Sequence, residues 1–290
     1  MTLSPTDGAS GSGSQAVAPP DPPWLQSLAM LPFEVLDTLD LPARYERSFK
    51  LLPGALMAQR YLLGVPAAGL EPALLVEVAC RLGMPLGMQA PFERALAGAS
   101  MALYGFEGGA DGVVFKAYAE YRARLAPALA GARASGGEAP PVEMFRGFKW
   151  RVGSDDAGVQ TVYNARPGLA PAQLRAWVDA RLRGERTDAL LQAAQGVLAR
   201  ALAARPGYAP LWLDLGEVPG AERAFDLNLY DAGLRVLDVA AEVSALAQVF
   251  GIEPVLVQRL LSAAGPALLG HISAGHGRDG KPYLTVYFET

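Results

Sequence analysis

The chain has 290 residues, of which 51% are apolar, enough for a sizeable core in one large or two smaller domains. Its 25 basic and 29 acidic residues leave a net charge of −4, which argues against a nucleic-acid binder working by bulk electrostatics, so any anion site must be local. One cysteine, Cys80, and two histidines, His271 and His276, exclude a disulfide framework and a cysteine zinc site, and they leave too few imidazoles for a His-rich metal site.

Residues 1–22, rich in Gly, Ser, Pro and Ala, lack a basic start and a continuous apolar stretch, so they read as a flexible tail rather than a signal peptide. No apolar run is long enough to span a membrane, and the expected location is the cytoplasm. A short helix is expected over Pro32–Leu41, then a hairpin of Tyr45–Leu52 and Met57–Val65 turning at Pro53-Gly54. Leu and Val recur at helical spacing over Glu71–Leu82, and Pro85 to Pro91 is expected to close that helix. Ser100–Glu107 and Gly112–Glu120 form a second hairpin around Gly108–Gly112. The Ala-rich Arg122–Ala134 reads as helix with a kink or restart at Pro127, and Ser135–Pro141 as a linker.

A third hairpin is expected from Gly147–Gly153 and Val159–Asn164, turned by Ser154–Gly158. Helical sequence follows over Ala170–Ala204, broken near Gly184. The fourth hairpin pairs Pro210–Gly216 with Phe225–Tyr230, and Leu234–Phe250 and Pro254–Ala264 read as helices. The last hairpin, His271–Glu289, turns at Asp279-Gly280, a dipeptide that tolerates the positive φ of a tight turn. Hairpin plus helices thus recurs about five times, in segments of roughly 50 residues.

Alternate strand residues face opposite sides, so parity sorts each hairpin into two faces. Val113, Phe115 and Ala117 oppose Lys116, Tyr118 and Glu120, and Leu284, Val286 and Phe288 oppose Tyr283, Thr285 and Tyr287. In the fourth hairpin Leu211, Leu213 and Leu215, with Leu227 and Leu229, are expected on the apolar face. Trp212, Asp214, Asp226, Asn228 and Tyr230 are expected on the other. About ten strands in one twisted sheet tend to curl or close. With helices over the apolar face, closure gives an α+β antiparallel barrel whose polar, aromatic lumen is large enough to hold a ligand.

The order of short motifs, one per hairpin, carries a resemblance. These are Met57-Ala-Gln-Arg-Tyr-Leu-Leu63, Val114-Phe-Lys-Ala-Tyr118, Gly147-Phe-Lys-Trp-Arg151 with Thr161-Val-Tyr163, Leu227-Asn-Leu-Tyr230 and Leu284-Thr-Val-Tyr-Phe288. From Leu41 to Thr290 the chain resembles the αββα-barrel (ABBA) prenyltransferases, most of all the compact enzymes of cyanobactin-type peptide biosynthesis. The resemblance implies one barrel domain over residues 23–290, with helices outside. It also implies transfer of an allylic group, most simply dimethylallyl, from its diphosphate to a side chain of a ribosomal, cyclic or linear peptide.

That chemistry has three needs. Cations must cover the leaving diphosphate, and Arg60, Lys116, Lys149 and Arg151 are the candidates, with Arg278 weaker. Aromatic faces must shield an allylic cation from water, a role for Tyr118, Tyr163, Tyr230 and Tyr287. A base must take the acceptor's proton, for which Glu46 is the candidate and Asp214 the alternative. Asp214, Asp226 and Glu120 together make the lumen more acidic than an indole or phenol acceptor requires, which would suit an arginine side chain and adds it to tryptophan and tyrosine as a candidate acceptor. Trp212 in the lumen would limit the donor to five carbons, and Asn228 completes the lumen set. Magnesium commonly assists diphosphate departure in such enzymes, but no ligand motif for it is present.

Alternatives from other classes are a free indole or phenol acceptor, and a non-catalytic ligand-binding barrel. Gly275–Pro282 nearly spells a phosphate loop, but Pro282 stands where a Ser or Thr would hold magnesium, and a strand follows instead of a helix. Neither histidine has a nucleophile elbow to serve as a hydrolase base.

Overall fold

The computed structural model describes residues 22–109, 112–135, 140–154, 157–184, 187–218, 220 and 222–289. The expected tail up to residue 21 and parts of the Gly108–Gly112, Ser135–Pro141 and Ser154–Gly158 connections lie outside them.

Among the described residues, ten strands alternate with helices in the order α1 (Pro23–Thr38), β1 (Arg44–Leu52), β2 (Ala55–Pro66), α2 (Pro72–Arg81), α3 (Leu86–Leu96), β3 (Met101–Gly109) and β4 (Gly112–Glu120). There follow α4 (Leu125–Ser135), β5 (Val142–Arg151), β6 (Val159–Arg166), α5 (Pro171–Leu182), α6 (Asp188–Ala204), β7 (Leu211–Glu217) and β8 (Glu222–Asn228). The chain ends with α7 (Ala240–Val249), α8 (Pro254–Ala264), β9 (Leu268–His276) and β10 (Pro282–Glu289). Every strand pairs antiparallel with its sequence neighbours, and β10 closes on β1, with Glu289 opposite Glu46 and Tyr287 opposite Ser48. The expected closed barrel with five hairpins is the observed one.

Helix starts follow local chemistry. Pro23, Pro72, Pro171 and Pro254 stand in the first turns of α1, α2, α5 and α8, where a missing N–H costs nothing and a fixed φ favours helix. One expectation fails at proline and another is incomplete. The first helix begins at Pro23, not Pro32, and α2 does end before Pro85, at Arg81, but Pro85 to Pro91 opens a further helix. Pro85 instead caps α3, and Pro91 lies within it, because burial of Met88, Phe92, Ala95 and Leu96 outweighs the lost backbone bond. Leu234–Phe250 begins not as α-helix but with a single 3₁₀ turn, Val236–Val239, before α7.

The main core lies between barrel and helices, not inside the barrel. One cluster packs Phe49, Phe225, Leu227, Leu284, Val286 and Phe288 against α5, α6, α7 and α8, and a second packs Phe106, Phe115 and Phe148 against α1, α2 and α3. The parity expected of β4, β8 and β10 therefore holds. That of β7 is reversed. Leu213 lies opposite Asp226 and Ala165 and belongs to a small apolar arc of the lumen with Met144, Leu215 and Ala224.

Trp212 and Asp214 consequently point outward beneath α5, and both are fully buried. The Trp212 indole stacks on Phe225 at 4.4 Å and meets Trp177 edge-on at 5.6 Å. Asp214 accepts hydrogen bonds from Arg166 Nε (2.6 Å), Arg181 Nη2 (2.6 Å) and Trp212 Nε1 (2.9 Å). These contacts clamp α5 to the wall. Asp214 is thus not a lumen base, and Trp212 does not restrict the donor. The leucines misled because apolarity alone does not separate an outer face from an apolar arc of the lumen.

Two stability changes follow. Asp214→Ala, which strands two arginines, should cost about 3–5 kcal/mol, and Trp212→Ala a similar amount through the cavity it leaves. Urea unfolding of both variants measures this, and midpoints equal to that of the parent would refute the clamp.

Candidate active site

Two-residue steps along the inner faces stack the lumen in layers. On β4 the sequence Glu120, Tyr118, Lys116 runs from acid through ring to cation, and on β10 Glu289, Tyr287, Thr285 and Tyr283 run alongside.

In the cationic layer Arg60 Nη1 lies 2.8 Å from Glu107 Oε2, Arg60 Nε donates to Ser48 Oγ at 3.3 Å, and Lys116 donates to the same Glu107 oxygen. Lys149 is opposite Lys116 in the β4–β5 register, and Lys50 Nζ lies 4.4 Å from the Tyr283 ring centre. Four cations thus share one carboxylate. Burial strips their hydration and drives Lys116 down to about 7 and Lys50 to about 8, and it lowers Lys149 as well. Burial also opposes the Glu107 carboxylate, but Arg60 and Lys116 outweigh it and hold that group well below its usual range. A buried surplus of positive charge is a site prepared for a polyanion. Arg151, one step beyond Lys149, is exposed, and Arg278 Nε donates to Glu217 at 2.7 Å on the exposed rim.

Above the cations lies a layer of rings. Tyr118 and Tyr163 meet edge-on at 6.0 Å, and Phe145 packs on Tyr163 at 5.8 Å. Tyr118 lies flat on Gly147, where any Cβ would come within 2.6 Å of the ring. Burial raises the phenols of Tyr118, Tyr163, Tyr283 and Tyr287, so they stay neutral faces instead of phenolate nucleophiles.

At the mouth stand Glu46, Asp226, His271 and Tyr230. His271 Nδ1 is 2.6 Å from Asp226 Oδ2 and its Nε2 is 3.2 Å from Glu46 Oε1, while Tyr230 donates to that same Glu46 oxygen. Tyr230 is not in the strand but in a 3₁₀ turn after β8, and Gly270 makes room for its ring. Burial opposes the charge on His271, but Asp226 and Glu46 outweigh it and push the imidazole up to about 10, so it is a cation at neutral pH. The imidazole stacks on Tyr287 at 3.9 Å with 4° between planes. Asn228 also faces this cavity, which measures about 1380 Å³ and is bounded by Tyr118, Tyr163 and Tyr287 toward the cations.

The structure therefore brings together Arg60, Lys116 and Lys149 in one layer, Tyr118, Tyr163 and Tyr287 in the next, and Glu46, Asp226, Asn228 and Tyr230 at the mouth. The expected acid excess is smaller than its parts. Asp214 is outside, His271 neutralises Asp226, and Glu120 pairs with Arg122 at 3.2 Å. Sequence reasoning missed Lys50, Glu107, Tyr283 and His271 as site residues; Lys50 shares its strand parity with Glu46 and Tyr283 with Tyr287, whereas β3 and β9, which carry Glu107 and His271, held no assigned residue to point to them. Among the described residues no group of three or more His, Cys, Asp or Glu side chains is arranged to hold a metal ion. Glu107, the carboxylate within the cationic layer, is already engaged by Arg60 and Lys116, so these residues do not fit a protein-held magnesium.

No protein-family model and no curated sequence matches the chain. Solved structures do. Prenyltransferase PriB in ternary complex with L-tryptophan and dimethylallyl thiolodiphosphate is similar with a TM-score of 0.59 at 15% identity, over 92% of this chain and 90% of that one. For 5-dimethylallyltryptophan synthase from Streptomyces coelicolor the values are 0.55 and 17%, over 91% and 94%. For AnaPT from Neosartorya fischeri they are 0.54 and 14%, over 85% and 78%. The chain has the closed αββα-barrel fold of these prenyltransferases.

Proposed function

We propose that the protein is a prenyltransferase, one barrel unit over residues 23–290, that moves a dimethylallyl group from its diphosphate to an aromatic side chain of a peptide. The observation that carries this reading is the layering of the lumen: a buried cationic cluster, then tyrosine faces, then a carboxylate at an open mouth. The allylic C–O bond breaks, and its electron pair leaves with the diphosphate toward Arg60, Lys116, Lys149 and Lys50, which the barrel wall holds in place and the bound anion keeps charged. The allylic cation faces Tyr118, Tyr163 and Tyr287, which attract it through their quadrupoles without trapping it. The acceptor sits on the mouth side with its N–H or O–H against Glu46, its nitrogen, oxygen or ring carbon attacks the allylic cation to form the new C–N, C–O or C–C bond, and Glu46 takes the proton released.

Tryptophan or tyrosine ranks ahead of arginine, because the lumen lacks Asp214 and its remaining acids are largely paired. Two lines favour a peptide of the cyanobactin type over a free amino acid. The cavity of about 1380 Å³ exceeds the roughly 300–1,000 Å³ of small-molecule sites. Its rim carries Leu125, Leu129, Tyr208 and Leu211, which suit flanking peptide residues. PriB binds L-tryptophan, which keeps a free indole as the second reading. Among the described residues no helix is long and apolar enough to cross a membrane, in keeping with a cytoplasmic enzyme. Any magnesium would travel with the diphosphate.

An intact-mass assay with dimethylallyl diphosphate, magnesium and peptides displaying Trp, Tyr, Ser or Arg should show one five-carbon gain on a Trp or Tyr peptide. Lys116→Ala should abolish it. No gain on any peptide or on free indoles, with no thermal shift from pyrophosphate, would replace the enzyme by a binding barrel.

Diphosphate binding should also take up protons. Burial holds Lys116 near 7 in the donor-free protein, so at pH 8 it is mostly neutral, and a bound anion restores its charge. Calorimetry of pyrophosphate binding in two buffers of different ionisation heat should show net uptake at pH 8 that shrinks in Lys116→Met. Equal uptake in parent and variant would count against Lys116 as a diphosphate ligand.

A further inference from the structure

His271 contributes to no part of the reaction derived so far, yet it is half-buried and bonded at both nitrogens. It stands on β9 between Asp226 of β8 and Glu46 of β1, with Tyr287 of β10 stacked on its face and Tyr230 beside it. Both donors that reach Glu46, His271 Nε2 and Tyr230 Oη, converge on the same oxygen, Oε1. Glu46 itself lines the cavity.

We propose that His271, oriented by Asp226, is a positioning residue that together with Tyr230 occupies Oε1 of Glu46 and leaves Oε2 to receive one N–H or O–H from the acceptor. Asp226 fixes the ring, because its carboxylate accepts from Nδ1–H and holds the imidazole in one orientation, and together with Glu46 it keeps the ring doubly protonated, so that Nε2 carries a proton as well. That Nε2–H holds the Glu46 carboxylate from behind. The consequence is a substrate class. A planar guanidinium binds a carboxylate through both oxygens, and here one oxygen already has two donors. An indole or phenol offers a single donor and meets a single open oxygen. This inference rests on the acceptor-side reading of Glu46.

The charge state agrees with the geometry, since Asp226 and Glu46 hold the imidazole protonated up to about pH 10. The groups that face His271 are Asp226, Glu46, Tyr230 and Tyr287, and burial keeps both phenols neutral over that range. Loss of the Nε2 proton would turn a donor toward Glu46 into a lone pair and release the carboxylate.

The test uses the full chain with N-acetyl-L-tryptophan amide, its 1-methyl analogue and dimethylallyl diphosphate, together with ¹⁵N-histidine NMR. With two histidines in the chain, His276→Gln assigns the His271 signal. His271 should stay protonated to about pH 10 in the parent and titrate roughly one to three units lower in Asp226→Asn. Acceptor kcat/KM should fall about ten- to one-hundred-fold in Asp226→Asn, mainly through KM, and its alkaline limb should move down with the NMR titration. The preference for the N–H substrate over its 1-methyl analogue should collapse with it. A general folding defect would lower activity without moving either the limb or that preference. A parent His271 that titrates near neutrality overturns the inference. So does an Asp226→Asn variant that keeps both the limb and the preference. If the parent prenylates no acceptor, the proposed function fails, and the His271 titration still decides the linkage of the three residues.

Discussion

The seam between β1 and β10 is the contact on which the rest depends. These are the first and last strands, and their hydrogen bonds turn a sheet with a polar face into a barrel with a polar interior. Before closure, Arg60, Lys116, Lys149 and Lys50 would point into water and behave as ordinary surface cations. After closure their hydration is replaced by the Glu107 carboxylate, the Ser48 hydroxyl and tyrosine rings. A buried cation cluster costs free energy that only an outer hydrophobic core can offset, and this molecule places its two large apolar clusters between barrel and helices.

Charge then varies along the barrel axis, and the tyrosine layer marks the change of sign. On one side Arg60, Lys116, Lys149 and Lys50 outnumber the single carboxylate Glu107, and on the other the carboxylates Glu46 and Asp226 flank the single imidazolium of His271. In the proposed reaction this arrangement sorts the two substrates, because a polyanion and a neutral hydrogen-bond donor prefer opposite ends of the lumen, with the rings between them. Glycines matter here for their absence of side chain: Gly147 and Gly270 let Tyr118 and Tyr230 lie against the wall.

Much of this was legible. Five hairpins, their order and the helices between them follow from alternation, turn dipeptides and 3.6-residue spacing, all local properties. Strand parity placed Lys116 with Tyr118 and Glu120, and Tyr283 with Tyr287, on one face, and the structure puts them there. Parity failed at β7, where leucines and a Trp-Asp pair alternate and both sets are buried. Hydrophobicity reports burial, not the side of the wall on which a residue is buried.

The sequence by itself determined the elements and, for most strands, which side chains share a face, because the pleat and the helical repeat are fixed by the backbone. Which faces meet was decided only by the tertiary structure. Asp214 finds Arg166 and Arg181 on the outer side, Glu107 finds Arg60 and Lys116, and His271 comes between Asp226 and Glu46. Except for Glu107 and Lys116, which share the β3–β4 hairpin, these contacts join strands and helices far apart in the chain, through register and closure. No local pattern encodes them, since the same charged residues on an open sheet would be solvated singly.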